Sequence, residues 1–425
     1  MQVLKSSVIY LGSSILNKAI PFLLLPILTK YLSPAEYGVL SIFQLMISFF
    51  TAFVGMNMSM NISKNFFKYN KQETSLMIGN ILMILSLTTL IYFFITLGLS
   101  FYYQEIFSVP SNWVILIPLL SFMFMVNTIN LTILRNQDKA YLFGVFEIIN
   151  TAINMGVTIL LLIMYHYGWY SRVGGIIIAY GIFFIISLFY MKKNGFIILR
   201  YDREESRKIL KLSIPLIPHV LGGIIISLSD RFFIERMVNL EMVGIYSVGY
   251  MFGMVVLLFT SAFLKAWAPW FYKMLSDVDD KKKRNIVRYS YLYILATFVI
   301  AFGVSIFAKF IIPYVVDSSY AGAEVYVFWI AIGYAVHGVY KIFFPYLVHI
   351  SKTSFLAVST VIAAVLNLFF NYLLIKEFGA IGAAYSTVLS FVISASLVFW
   401  YQQKNFNMPW LLDLQLLVSV KNKNE

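Results

Sequence analysis

The sequence predicts an all-α membrane protein whose twelve transmembrane helices form two six-helix lobes. Composition, a succession of long apolar runs and a weak internal repeat predict it. Of 425 residues, 60% are hydrophobic and 12% are charged, whereas a soluble domain carries roughly 25% charged residues. The chain has no cysteine, which excludes a disulfide framework and a cysteine-based metal site. Its four histidines, His166, His219, His337 and His349, show no ligand-like spacing.

A hydrocarbon core about 30 Å thick takes about 20 helical residues. Apolar runs of that length cover residues 7–30, 37–63, 76–100, 113–134, 141–165, 173–191, 212–236, 243–268, 286–312, 322–348, 353–375 and 380–401. Backbone groups in lipid must pair within the segment, and these runs lack the alternation of barrel strands, so each reads as a helix. The first run carries Lys18, Pro21 and Pro26 and is followed by eleven others, so it reads as a retained helix and not a cleaved signal. With the N-terminus inside, 23 of the 32 Lys and Arg residues fall at cytoplasmic ends and loops, five (Lys30, Arg172, Arg236, Lys309 and Lys376) on the other side, and four within the spans. That asymmetry predicts cytoplasmic termini. It also accounts for the net charge of +13 through the anionic inner leaflet, without a nucleic-acid partner.

The halves divide at the basic connection 192–211, giving lobes over 1–200 and 201–405 and a cytoplasmic tail over 406–425. At an offset of 206, Lys211, Gly244 and Ser247 fall over Lys5, Gly38 and Ser41; at 205, Gly379–Tyr385 falls over Gly174–Tyr180. Six helices per unit return the chain to the same side, so the repeat is parallel and places a substrate site between the lobes. Pro21 and Pro26 in the first span, and Pro215 and Pro218 at the start of the seventh, remove helical hydrogen bonds and predict bending there.

A charge at helix-centre depth costs at least about 2.5–3.5 kcal/mol and marks a substrate path. Lys18, Arg231, Lys265 and Lys341 lie within spans, against the acids Asp230 and Glu147. The excess predicts a cationic cavity and an anionic substrate. Lys18 is near the middle of its span. Lys341 shares a helix face with His337, four residues away. Lys265 is close enough to an interface to snorkel. Asp230, beside Arg231, is either an ion-pair partner or, with Glu147, His219 and His337, a titrating group for proton or sodium coupling. Several cations in a low dielectric suit phosphate, and Tyr and Trp can stack on sugars.

The segments Leu32-Ser33-Pro34-Ala35-Glu36-Tyr37-Gly38, Ser229-Asp230-Arg231-Phe232-Phe233-Ile234, Val243-Gly244-Ile245-Tyr246-Ser247-Val248-Gly249-Tyr250, Asn367–Ile375 and Phe378–Thr387 resemble the bacterial polysaccharide biosynthesis flippases, over nearly the whole chain. That resemblance implies the V-shaped fold and alternating access of the multidrug and toxic compound extrusion superfamily. It also implies export of polyprenyl-diphosphate-linked O-antigen, capsule or exopolysaccharide units across the bacterial cytoplasmic membrane, alongside other surface-polysaccharide assembly proteins. The diphosphate is expected on Lys18, Arg231 and Lys341, with Lys265 as a further cation. Two rival readings are a drug exporter, which generally calls for cavity carboxylates, and a polysaccharide polymerase or ligase, which calls for a substantial outer loop with reactive groups. The outer loops of this chain are short, and no nucleophile and base constellation is present, so the chain does not read as an enzyme.

Overall fold

The computed structural model describes Gly12 and residues 22–275, 279–352 and 354–410. It is almost entirely helical. The first half contains α1 (Phe22–Tyr31), α2 (Pro34–Gly55), α3 (Ser59–Asn65), α4 (Lys71–Ser100), the one-turn α5 (Ser111–Val114), α6 (Ile117–Asn136), α7 (Ala140–Met164) and α8 (Trp169–Lys193). The second contains α9 (Arg203–Ser213), α10 (Ile217–Leu228), α11 (Asp230–Met237), α12 (Leu240–Gly253), α13 (Val255–Leu275), α14 (Asp280–Val315), α15 (Glu324–His349), α16 (Ser354–Phe378) and α17 (Ile381–Asn405). Among the described residues, eleven helical segments are long and apolar enough to cross a membrane, and α1 adds a shorter apolar helix. Most of the predicted first span, including Lys18 and Pro21, lies outside the described residues.

Helix starts follow the sequence closely. Ser33 and Glu36 form a capping box at α2, as do Asn70 and Glu73 at α4, while Asp202, Asn239 and Asp279 cap α9, α12 and α14. Each side-chain oxygen satisfies an amide that the first helical turn leaves without a partner. Two predicted spans are shorter or more broken than expected. The second ends at Gly55, where Met56 and Asn57 turn left-handed (φ 42° and 53°). The seventh is interrupted twice, by a 3-10 turn over Ile214–Leu216 and again at Ser229. Pro215 and Pro218, which lack amide hydrogens, explain the first interruption.

The halves meet along α2 and α12, and the contact is reciprocal. A β-carbon on Gly38 would lie 2.3 Å from the carbonyl oxygen of Leu240, and one on Gly244 would lie 1.9 Å from that of Pro34. Residues 34 and 38 are each 206 positions before 240 and 244, so one contact is repeated with the partners exchanged. Glycine is required at both places because the backbones touch. The N-caps Ser33 and Asn239 stand at the same offset. The second sequence pairing does not hold in space. Gly174 lies inside α8, whereas Gly379 (φ 68°) precedes α17. Helix α17 starts 212 residues after α8, because the second half has longer segments before it.

The end of the bundle predicted to face outward is sealed. The Tyr320 hydroxyl donates to the Leu32 carbonyl at 2.9 Å. A short hairpin pairs Glu105–Ile106 with Val109–Pro110, and its tip residues Phe107 and Ser108 both have positive φ (49° and 56°). Non-glycine residues hold that conformation at a cost. Contacts across the seam hold it here. Ser108 Oγ donates to Glu235 at 2.6 Å, Phe107 packs on Phe232 with ring centroids 4.3 Å apart, and the Arg236 guanidinium lies 5.3 Å from the Phe107 ring.

At the opposite end the chain crosses between halves without slack. Asn80 on α4 donates to the Arg200 carbonyl at 3.1 Å and accepts from the Asp202 amide and the Ser206 hydroxyl, each at 2.9 Å. Ser75 donates to the Gly195 carbonyl at 2.6 Å, and Asn61 donates to Ser213 at 2.9 Å. Residues 195–213 are thereby fastened to the first half.

Candidate functional site

Two cavities of similar size flank α10, and Val220 lines both. The first, about 560 Å³, is walled by α1, α2, α6, α7 and α8, with Val220, Ile224 and Met251 from the second half. Its α2 wall is a polar stripe, Tyr37, Ser41, Gln44, Ser48 and Thr51, spaced by alternating steps of four and three that keep one helix face. Asn57, Ser59, Thr128, Asn154 of α7, and Arg172 and Tyr180 of α8 add to the polar lining. Among the described residues, Arg172 is its only charged one.

Arg172 was expected in an outer loop. Helix α8 starts at Trp169, however, which puts Arg172 in the first turn and turns it into the cavity. Its Nη1 donates to Asn154 Oδ1 and, at 3.4 Å, to Thr158 Oγ1. The helices can approach this closely because position 175 is glycine: a β-carbon there would lie 2.2 Å from Thr158 Oγ1 and 2.6 Å from the Asn154 carbonyl. Among the described residues no carboxylate forms an ion pair with Arg172. The guanidinium is therefore held by neutral oxygens and keeps its charge for the cavity.

The second cavity, about 570 Å³, lies among α10, α13, α15, α16 and α17. His337 and Lys341 both line it, as does His219. Five aromatic side chains line it, Trp267, Tyr272, Tyr340, Phe344 and Phe391. The His337 ring stacks on Phe391 (centroids 4.7 Å apart, planes 19°) and lies nearly parallel to Tyr340 (5.8 Å, 14°). His219 Nδ1, His337 Nδ1 and Trp267 Nε1 are buried without a hydrogen-bond partner, although buried polar atoms are normally satisfied. Among the described residues no carboxylate lines either cavity.

Arg231 and Asp230 line neither cavity. Both are buried, at 6% and 1% exposure, and they pair with each other at 2.9 Å. Adjacent residues point apart within a regular helix, but α11 begins at Asp230, and at that break its Oδ1 accepts from both the amide and the guanidinium of Arg231. Tyr246 donates to the other carboxylate oxygen. Arg231 also donates to the Ser227 carbonyl at 3.3 Å and lies 4.4 Å from the Tyr250 ring centre, and Tyr250 and Tyr334 share a 2.7 Å hydrogen bond. Lys265 is exposed on α13 and Glu147 is half-buried on α7, both outside the cavity walls. Lys18 lies outside the described residues. Of the sequence-selected residues, the structure thus gathers His219, His337 and Lys341 in one place. The residue missed was Arg172, which the polar stripe on α2 could have signalled.

Residues 3–275 match the polysaccharide biosynthesis protein family. A Haemophilus influenzae protein named "Lsg locus putative protein 1" is 25% identical over 374 residues, covering 86% of this chain and 90% of its own length. A Haloferax volcanii protein named "Probable low-salt glycan biosynthesis flippase Agl15" is 26% identical over 234 residues, 54% of this chain and 47% of that protein. Among solved structures, an inward-facing multidrug resistance MATE family transporter of the MOP superfamily superposes with a TM-score of 0.69 at 13% identity, over 96% of each chain. An outward-facing structure of such a transporter gives 0.62 at 14% identity, over 94% of this chain and 95% of the other. The architecture is therefore that of the MATE transporters, and the chain belongs to the polysaccharide biosynthesis protein family.

Proposed function

We propose that the protein moves a polyprenyl-diphosphate-linked oligosaccharide across the bacterial cytoplasmic membrane by alternating access, with both termini cytoplasmic. The observation that carries this reading is the charge of the two cavities: each is large enough for a small-molecule ligand, and among the described residues each is lined by a cation and neither by an acid. Such walls repel organic cations and favour anions, which argues against a drug exporter. In the first cavity the planar Arg172 fork suits bidentate contact with a phosphate. The hydroxyls and amides along α2 suit sugar hydroxyls. Lys18, six residues before the cavity-lining Leu24 in the sequence, stays in the proposed diphosphate site. Arg231 enters it only if the Asp230 pair opens.

The sealed outer end, and the closer match to the inward-facing than to the outward-facing relative, support a cytoplasm-open state in which the ligand loads. Rocking about the reciprocal α2–α12 contact would then expose it outside, with the lobes of residues 1–200 and 201–405 as the moving parts. A proton or sodium gradient would act through Asp230, His219, His337 or Glu147. The test is protein-dependent transbilayer movement of a defined polyprenyl-diphosphate oligosaccharide in liposomes, with Arg172→Gln and Lys18→Gln alongside. Movement that falls in either variant while the protein stays folded supports the proposal. Equal movement in both variants removes the cationic site, and no movement under either gradient removes the flippase reading.

A further inference from the structure

We propose that the second cavity is a subsite for an acetamido sugar, a pyranose with an N-acetyl group in place of one hydroxyl, within the transported glycan; this rests on the flippase reading above. Trp267, His219 and His337 line that cavity, and Trp267 Nε1, His219 Nδ1 and His337 Nδ1 are buried without a hydrogen-bond partner. Buried polar atoms are normally satisfied. Three unsatisfied nitrogens around one space of about 570 Å³ call for a partner that enters from outside the protein. The same wall carries Ile226, Leu264, Phe344 and Phe391. Water alone would satisfy the nitrogens and leave that apolar surface wet, whereas a ligand with polar and apolar faces covers both.

A pyranose has two such faces. The rings of Phe391 and Tyr340 lie nearly parallel to that of His337, at 19° and 14°, and the C–H face of a sugar extends a stack of this kind. The acetamido group matches the remaining chemistry piece by piece. Its carbonyl can only accept, and the indole Nε1 can only donate. Its N–H can only donate, and a neutral imidazole with its proton on Nε2 accepts at Nδ1. Its methyl gains by burial against Tyr272 and Phe344, where a hydroxyl has no carbon to bury. Ser227, Thr360 and Ser394 line the same space and can exchange hydrogen bonds with the other ring hydroxyls. Val220, shared by both cavities, puts this subsite beside the Arg172 site, as a glycan attached to its diphosphate requires.

The test uses the full chain in liposomes with two polyprenyl-diphosphate tetrasaccharides, identical except that one sugar is a 2-acetamido hexose in the first and the corresponding 2-hydroxy hexose in the second. The expected result is about tenfold faster movement of the acetamido lipid, corresponding to about 1.4 kcal/mol. The preference should shrink below about twofold in Trp267→Phe, which keeps a ring and removes the donor, and in His337→Phe, which keeps a ring and removes the nitrogens. It should persist as a ratio in Arg172→Gln even though both rates fall. The free acetamido tetrasaccharide should also quench the tryptophan fluorescence of the unmutated protein more strongly than its hydroxyl counterpart. That readout needs no variant, so it keeps the test valid if Trp267→Phe and His337→Phe do not fold. Equal movement of the two lipids, equal quenching by the two free glycans, or a preference unchanged in both ring variants overturns the acetamido subsite and leaves the flippase reading standing. Movement of neither lipid overturns both.

Discussion

The two cavities have nearly the same volume, and among the described residues neither is lined by an acid, yet their walls are chemically different. The first is lined by hydroxyls and amides around a guanidinium held by Asn154 and Thr158. The second is lined by aromatic rings around an ammonium. Outside both walls, Arg231 is locked to Asp230 and covered by tyrosines. The difference shows that a cation's position in the membrane says less about its use than its partner does. Arg172, with neutral partners, keeps its full charge toward a cavity; Arg231, with a carboxylate, holds helices together.

That contrast can be broken most forcefully at Asp230. Asp230→Asn leaves a buried guanidinium without its counter-charge, a change that costs about 3–5 kcal/mol in buried pairs, and it should sharply lower the thermal unfolding temperature in detergent. If the variant instead unfolds like the parent and binds diphosphate more tightly, Arg231 belongs with the ligand and the contrast collapses. The next effect in size is at Arg172. Arg172→Gln removes charged hydrogen bonds worth about 1.5–3 kcal/mol, so transport should fall roughly tenfold to a hundredfold, with little change in unfolding temperature. A stability loss matching that of Asp230→Asn would make Arg172 structural too.

Val220→Trp should sharpen the comparison by filling the shared wall. Transport of every glycan should fall about tenfold, a drop worth about 1.4 kcal/mol, because both sites narrow together. Unchanged transport would mean that this shared wall is off the path. The smallest effect is expected at the outer seal. Ser108→Ala removes one hydrogen bond to the Glu235 carboxylate, about 1–2 kcal/mol by the usual range for a charged partner. It should shift cysteine-accessibility labelling at the outer end toward the open state, and unchanged labelling would show that Phe107 and Phe232 hold the seal alone.

Much of this was legible in the sequence. Apolar length found the transmembrane helices, and Gly38 and Gly244 at a constant offset marked the place where the halves touch. The four-residue spacing of His337 and Lys341 put them on one wall. What was not legible depended on single turns of helix. Starting α8 at Trp169 and not at residue 173 brings Arg172 from a loop into a cavity. Breaking the seventh span at Ser229 lets Asp230 fold back onto its own neighbour. The Gly174 and Gly379 pairing failed because a small-residue match carries no information about which glycine lies in a helix and which in a left-handed turn.

The fastening of residues 195–213 to α4 and α3 through Asn80, Ser75 and Asn61 bears on where the machine bends. A loose tether would let the two halves drift and would spread any rotation over some twenty bonds. Here the tether is cargo of the first half, so the crank between the halves shortens to the 3-10 turn Ile214–Leu216, with Pro215 inside it and Pro218 just beyond. If the halves rock as proposed, a short crank would convert a small local twist into a large swing at the far ends of the helices and leave little freedom in the direction of that swing.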